Sequence, residues 1–193
     1  MKYLFTAVLA LLLAGFNQTA MAQSNKKVVE VKKSIYIDAA KEVLWKITAE
    51  DFTEVDKWIS GVNLAESTGE VKTGMGAARS CTPSYKGFSK TTEKIVDFQP
   101  TDFFTYQIVE GMPKMVAHAT NTWTHVAKGE GTELTMHVKM EVQGLMGAIM
   151  KGPMKKRMNV VIQDALEELK VYAETGNLHE RKVSAMRKFE ATR

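Results

Sequence analysis

Arg79, Cys81, Glu93 and His118 are the side chains of this 193-residue chain whose types and spacing could do chemistry. If the loop near Lys86 centres a hairpin, Arg79 faces Glu93 and Cys81 faces Thr91 across the ladder. Ile95 shares the face of Glu93, and an isoleucine prefers an interior, which would turn Arg79, Cys81, Glu93 and Ile95 inward. The other reading is a solvated cross-strand ion pair on the outer face, worth about 0.5 kcal/mol. Residue types leave both open. His118 depends on the next hairpin. Met136, Val138, Met140 and Val142 form one apolar face, and a turn centred on Glu130 sets Met140 opposite Thr120 and Val142 opposite His118. His118, Thr120, Thr122 and Thr124 then look inward. A slip of one residue would point Ala117, Ala119 and Trp123 inward instead.

The chemistry open to these residues is limited. A Glu93/His118 pair could perform general acid–base work on an acidic C–H bond. A glutamate held by Arg79 stays ionised, however, and is then a weak base. Cys81 is a nucleophile only as a thiolate beside Arg79 or His118, and the alternative is a buried, inert thiol. No Walker loop, dinucleotide fingerprint or Cys-x-x-Cys motif is present. The 12 methionines include Met146, Met150, Met154 and Met158, four residues apart. Thioethers adapt to irregular apolar ligands as readily as they fill a core. They are also soft enough for copper(I), but no convergent histidines or cysteines accompany them. Neither a metal nor a cofactor is expected.

The elements that must position these residues follow from periodicity. Alternating Val29, Val31, Ile35 and Ile37 predict a strand over 28–37. Asp38 can cap a short helix, 39–48, and Phe52, Val55 and Trp58 mark a second one ended by Gly61. Strands are expected near 62–68, 77–83, 89–98, 102–110, 115–126 and 133–143, closely spaced as in an antiparallel meander. Met154, Met158, Val161, Ile162 and Ala165 form the apolar stripe of a long helix predicted from Pro153 to Thr175. Lys155, Lys156 and Arg157 would then oppose the dipole at that helix's start. They are read either as a contact for an anionic headgroup or ligand carboxylate, or as a solvated turn. The tail 177–193 is charged, a marginal helix or disordered. Together these elements predict an α+β fold in which a curved sheet wraps the long helix and leaves a hollow that could hold a ligand.

The ends and the charge bound the setting. Lys2, an apolar run from Tyr3 to Phe16 and Ala20-Met-Ala22 read as a signal peptide over 1–22, cleaved after Ala22. A periplasmic or secreted protein is the expectation, with one domain over 23–176. Cys81 is the single cysteine, so no internal disulfide can form. The net charge is only +4, and no arginine stripe interleaved with aromatics suggests nucleic acid. Trp123 and His137 together could seed a dimer, and monomer and homodimer stay open.

Val43-Leu-Trp45, Trp58, Gly76-Ala-Ala-Arg79, Thr92-Glu93-Lys-Ile95, Gly131-Thr132 and Leu166–Glu174 occur in an order that resembles the SRPBCC, or START-like helix-grip, superfamily. The pattern is most similar to its polyketide cyclase/dehydrase and lipid-transport branch, over roughly 28–175. The resemblance implies seven antiparallel strands and two short helices around the C-terminal helix, enclosing a hydrophobic cavity. Plant abscisic-acid receptors are similar in the same segments. They imply that Glu93 enters the pocket, that 83–88 with Tyr85 and Phe88 gates it, and that 111–115 with Met115 latches it. The resemblance also favours His118 and Thr120 over Ala117 and Ala119. The gate and latch differ here in composition, so hormone-like switching is not carried over. The expected pocket wall adds Trp58, Tyr106, Met136 and Met140. The expected role is an exported carrier of a lipid, isoprenoid or polyketide-like molecule. The alternatives are a cyclase or dehydratase using Glu93 and His118, or a protein that binds a partner or an anionic membrane surface.

Overall fold

The computed structural model describes residues 27–85 and 88–192. The expected leader with its cleavage site lies outside them, as does the turn tip at Lys86. Strands β1 (Lys27–Ile37), β2 (Val62–Ser67), β3 (Ala78–Pro83), β4 (Thr91–Gln99), β5 (Phe103–Glu110), β6 (Val116–Lys128) and β7 (Gly131–Val142) form one antiparallel sheet in the order β1-β7-β6-β5-β4-β3-β2. Register shifts at Val62/Leu64, Thr92/Glu93, Ile95/Asp97 and Val116/His118 add residues to one strand of a pair, which bends strands and curves the sheet.

Helix α1 (Lys41–Trp45) runs into a π turn (Lys46–Glu50), and a 3-10 segment (Phe52–Lys57) follows. The expected single helix over 39–48 is therefore broken. The Thr48 hydroxyl sits 2.8 Å from the Leu44 carbonyl, a back-bond that bends helices. Asp38 does not cap it; Ala40 is the N-cap, and the Asp38 backbone N–H donates to Glu174 Oε1 at 2.7 Å.

The long helix α2 (Gly144–Thr175) starts well before Pro153. Proline's missing N–H strands only the Ile149 carbonyl, and both residues are exposed, so the helix can tolerate the lost bond where solvent reaches it. Lys155, Lys156 and Arg157 consequently sit mid-helix, and their expected conflict with the dipole disappears. Helix α2 packs across β1 and β7, burying Gly147, Ile162, Ala165, Leu166 and Leu169.

The charged tail forms α3 (Glu180–Glu190). Its anchor is Glu168 of α2, which is fully buried. Glu168 accepts from the Ser60 backbone N–H and hydroxyl, both at 2.7 Å, and from Arg181 Nε at 2.9 Å. Arg181 also reaches Glu167 at 2.8 Å, and buried Lys182 donates from Nζ to the Val62 carbonyl at 3.0 Å. No periodic apolar stripe signals this docking, because polar groups carry it.

Candidate functional site

The β3–β4 register pairs Arg79 with Glu93 and Cys81 with Thr91, as the spacing predicted. Arg79, Cys81, Glu93 and Ile95 are all buried on the concave face, so the solvated outer pair does not occur. Arg79 Nε and Nη2 lie 2.8 and 2.6 Å from Glu93 Oε2, and Nη1 donates to the Phe52 carbonyl. The guanidinium covers the Phe52 ring at 3.9 Å and faces the Tyr106 ring at 5.3 Å. Burial, with the Glu93 charge adding, pushes the Cys81 thiol up to about 12, so it stays protonated and inert. The same two causes raise the Tyr106 phenol above its ordinary range. Tyr106 is thus a neutral donor, and its oxygen accepts from Asn121 Nδ2 at 3.0 Å.

The β6 strand departs from the favoured parity. Gly129 and Glu130 form a two-residue turn with Lys128 paired to Gly131, so Ala119 faces Met140 and Trp123 faces Met136. Ala119, Asn121, Trp123 and His125 point inward, and His118 and Thr120 lie on the outer face. A turn one residue tighter than expected flips every side chain of the strand. Of the slipped set, Ala117 is also outside, because of the bulge at Val116/His118. The Glu93/His118 acid–base pair is therefore not assembled. Trp123 and His137 do not share an outer face either, since Trp123 is core and His137 bonds Glu30 at 2.6 Å.

His125 is the inward histidine that sequence reasoning missed. Its Nε2 lies 2.9 Å from the Thr48 hydroxyl, and its ring packs against Trp45 and Phe104. Burial lowers its pKa to about 4, leaving it neutral at pH 7.

The expected open chamber is largely filled. Phe52, Trp58, Phe104, Tyr106 and Trp123 occupy the space between the helical segments 46–57 and the sheet and leave an interior cavity of about 10 Å³. Ile47, Thr48, Val55 and Arg79 also line it, and no residue of α2 does, although the hollow was expected there. That is room for about one water-sized atom. Trp58 Nε1 and Trp123 Nε1 are both buried with no hydrogen-bond partner, as is Asn121 Oδ1. The two indoles meet edge to face with centroids 6.4 Å apart. Orphaned polar atoms of this kind are uncommon in native interiors.

Around this core the other expected wall residues divide. Met136, Met140, Ile162 and Ala165 are buried; Met115, Met154 and Met158 are half-buried against the core. Met150 and Val161 are half-buried, while Met146 is exposed on the far side of α2. Tyr85 packs on the Arg157 guanidinium at 4.5 Å and on Phe88, which is 61 % exposed. The gate loop therefore leans on α2 while Phe88 stands outside it.

A sheet gripping a long helix, with the shorter helices closing one end, defines the helix-grip class. Residues 28–174 match the family described as polyketide cyclase / dehydrase and lipid transport, and the chain belongs to it. That family supports a fold that binds hydrophobic ligands. Solved structures share the fold at low identity. The di-domain ARO/CYC StfQ from the steffimycin biosynthetic pathway is 15% identical, with a TM-score of 0.64 over 76% of this chain, which spans only 51% of that one. A Thalictrum flavum norcoclaurine synthase mutant, in complex with a transition state analogue, is 15% identical, with a TM-score of 0.62 over 77% and 98% of the two chains. TTHA0849 of Thermus thermophilus is 19% identical, with a TM-score of 0.60 over 81% and 98%. No curated protein matches the chain in sequence.

Proposed function

We propose that the protein binds and carries a hydrophobic small molecule bearing an oxygen acceptor, its oxygen held between the concave sheet and the segment 47–58 and its apolar body extending toward α2. The carrying observation is the pair of unpartnered indole N–H groups, Trp58 Nε1 and Trp123 Nε1, on residues that line one interior cavity. An unpaired buried donor costs about 1–3 kcal/mol, so two lining one void suit an oxygen acceptor, and a ligand oxygen that displaced a water there would satisfy both. Tyr106 keeps a phenolic proton for the same purpose, and Asn121 holds that phenol in place. The cavity fits the oxygen and no more. The apolar body of the ligand makes its space by displacing adaptable groups, the half-buried thioethers of Met154 and Met158 and the Tyr85 ring over Arg157. Export to the periplasm is part of this reading and rests on the leader-like sequence of residues 1–22.

Native mass spectrometry of the protein purified from its host without denaturant tests this. A co-purifying apolar compound is expected, and Trp58→Phe with Trp123→Phe should lose it while remaining folded. Protein that is ligand-free from its own host, or retention that ignores both indoles, would overturn the reading.

The neutral Tyr106 phenol favours one second reading, a cyclase. The same donors would stabilise an enolate oxygen as a poly-β-ketone chain closes on itself. Release of a cyclised product from a synthetic poly-β-ketone thioester, abolished by Tyr106→Phe, separates catalysis from carriage.

A further inference from the structure

Residues 60–62 link the 3-10 segment to β2, and each is bonded to a different part of the chain. The Ser60 N–H and hydroxyl donate to Glu168 of α2, whose carboxylate also takes Arg181 of α3. The Gly61 carbonyl accepts from the Ser84 N–H of the gate loop at 3.0 Å, and the Val62 carbonyl accepts from Lys182 of α3. This link joins the two parts of the site that must respond to a ligand. Trp58, with its unpartnered indole N–H, lies two residues upstream, where the 3-10 segment ends on a long 3.4 Å bond from the Trp58 N–H to the Val55 carbonyl. The Tyr85 ring packs over Gly61, 3.7 Å from where a Cβ would stand. Helix α3 therefore secures the backbone behind an indole donor and the footing of the gate ring together.

The attachment is of a releasable kind. Lys182 is the one buried residue of α3, its Nζ meets a neutral carbonyl, and burial lowers its pKa from the ordinary lysine value. Arg181 spends its other contacts on Asp164 and Glu167, which are half-buried. Polar contacts like these return little beyond the cost of drying them, whereas apolar burial would hold a helix outright. Farther along α3, Ser184, Lys188 and Phe189 stand across an open groove of about 960 Å³ from Pro83, Ser84 and Tyr85. The helix is pinned at its first turn, and its second half is separated from the gate loop.

We infer that α3 is a strap on the ligand site. Docked, it holds Trp58 and the gate loop closed on the ligand; lifted, it frees residues 60–62 and lets the ligand leave. Control of release rests on the proposed carrier reading, whereas the coupling of α3 to residues 60–62 and 84 stands without it. Helix α3 lies outside the stretch that matches the family, residues 28–174, so the strap is added to the grip and is not part of it.

Hydrogen exchange and ligand release in the full chain test this together. Arg181→Ala should speed exchange roughly tenfold or more at the amides of Ser60 and Ser84, which donate within the link and lie far from α3 in sequence. Lys182→Ala, which leaves Glu168 its arginine, should do the same and serves if the first variant does not fold. Prodan, a neutral apolar fluorophore with a carbonyl oxygen, is the ligand probe. Either variant should release it about threefold faster or more in stopped-flow, with circular dichroism unchanged. Faster exchange confined to 180–190, with Ser60 and Ser84 still protected, would overturn the strap. So would coupled exchange with an unchanged rate of prodan release. Wild-type protein that takes up no prodan, or binds it no better than Trp58→Phe with Trp123→Phe, overturns the ligand site and the strap's control of release with it. The Ser60 and Ser84 amides tell that failure from a failure of the coupling.

Discussion

Arg79 holds Glu93 through two nitrogens on a single oxygen, Oε2, while the guanidinium stacks on Phe52 and anchors that residue's carbonyl. The pair thereby ties β3 and β4 to the 3-10 segment that carries Trp58 on its edge. Removing the carboxylate alone leaves a guanidinium buried without a counter-charge. Glu93→Ala should therefore destabilise the fold by about 3–5 kcal/mol in urea unfolding. Replacing both members, Arg79→Met with Glu93→Leu, should cost much less than the single change. A single variant as stable as the wild type would show that water reaches this pair.

His125 gives the fold an acid-sensitive window. Its pKa is about 6.5 in an unfolded chain and about 4 when folded, chiefly because burial disfavours the cation and Lys41 adds its own repulsion. Between those values the unfolded chain binds a proton that the folded chain does not. Stability is then full above pH 6.5 and falls as the pH drops, by about 3 kcal/mol once pH 4 is passed. The carboxylates whose folded pKa is depressed, Glu167 and Glu174 among them, lose their contribution only below about 4.5. Thermal melts between pH 7 and 5 isolate the histidine. His125→Gln should flatten that part of the profile, and an unchanged slope would exclude His125 as its source.

The order of elements is legible in the sequence because it resides in local signals. All seven strands fall within a few residues of their expected bounds, and the Arg79–Glu93 register follows from the loop between them together with the preference of Ile95 for the interior. The β6 strand shows where such reasoning fails. A two-residue turn at Gly129–Glu130 differs from a three-residue one by a single position, and that position decides whether His118 or His125 faces the core. Only the ladder settles it. Pro153 has the residue type of a helix start, yet it sits where water can replace its missing bond. The filled interior is not legible either, since Trp58 and Trp123 come together from segments far apart in the chain. The resemblance to hollow relatives could not reveal how far these aromatics close the space.

Helix α3 illustrates the same limit and yields a prediction. Outside the stretch that matches the family, it is held by Glu168, whose carboxylate is shared between Ser60 and Arg181. Arg181→Ala should release α3 and leave Glu168 buried with one fewer charge partner, at a cost of about 2–3 kcal/mol. Hydrogen exchange should show amides of 180–190 losing protection before the sheet does. Persistence of that protection would mean that Lys182 and its bond to Val62 suffice.

Gly111 controls the approach of the two loops at the mouth. Its φ is +86°, a conformation that side chains rarely adopt, and a Cβ there would collide with the Lys90 carbonyl and lie 2.9 Å from Thr91 Cα. The β5–β6 loop is fixed on its other side by Gln143, whose backbone N–H donates to the Met115 carbonyl and whose amide donates to the Lys114 carbonyl, each at 2.9 Å. A side chain at 111 must therefore push residues 88–90 outward, because the loop itself is tied to the start of α2. Gly111→Ala should cost about 2 kcal/mol or more of stability, from strain and displaced backbone. If access to the cavity runs between these loops, the same change should speed release of a bound apolar fluorophore several-fold in stopped-flow. An unchanged release rate in a variant that melts lower would place the access route elsewhere, since the loops would have parted without opening it.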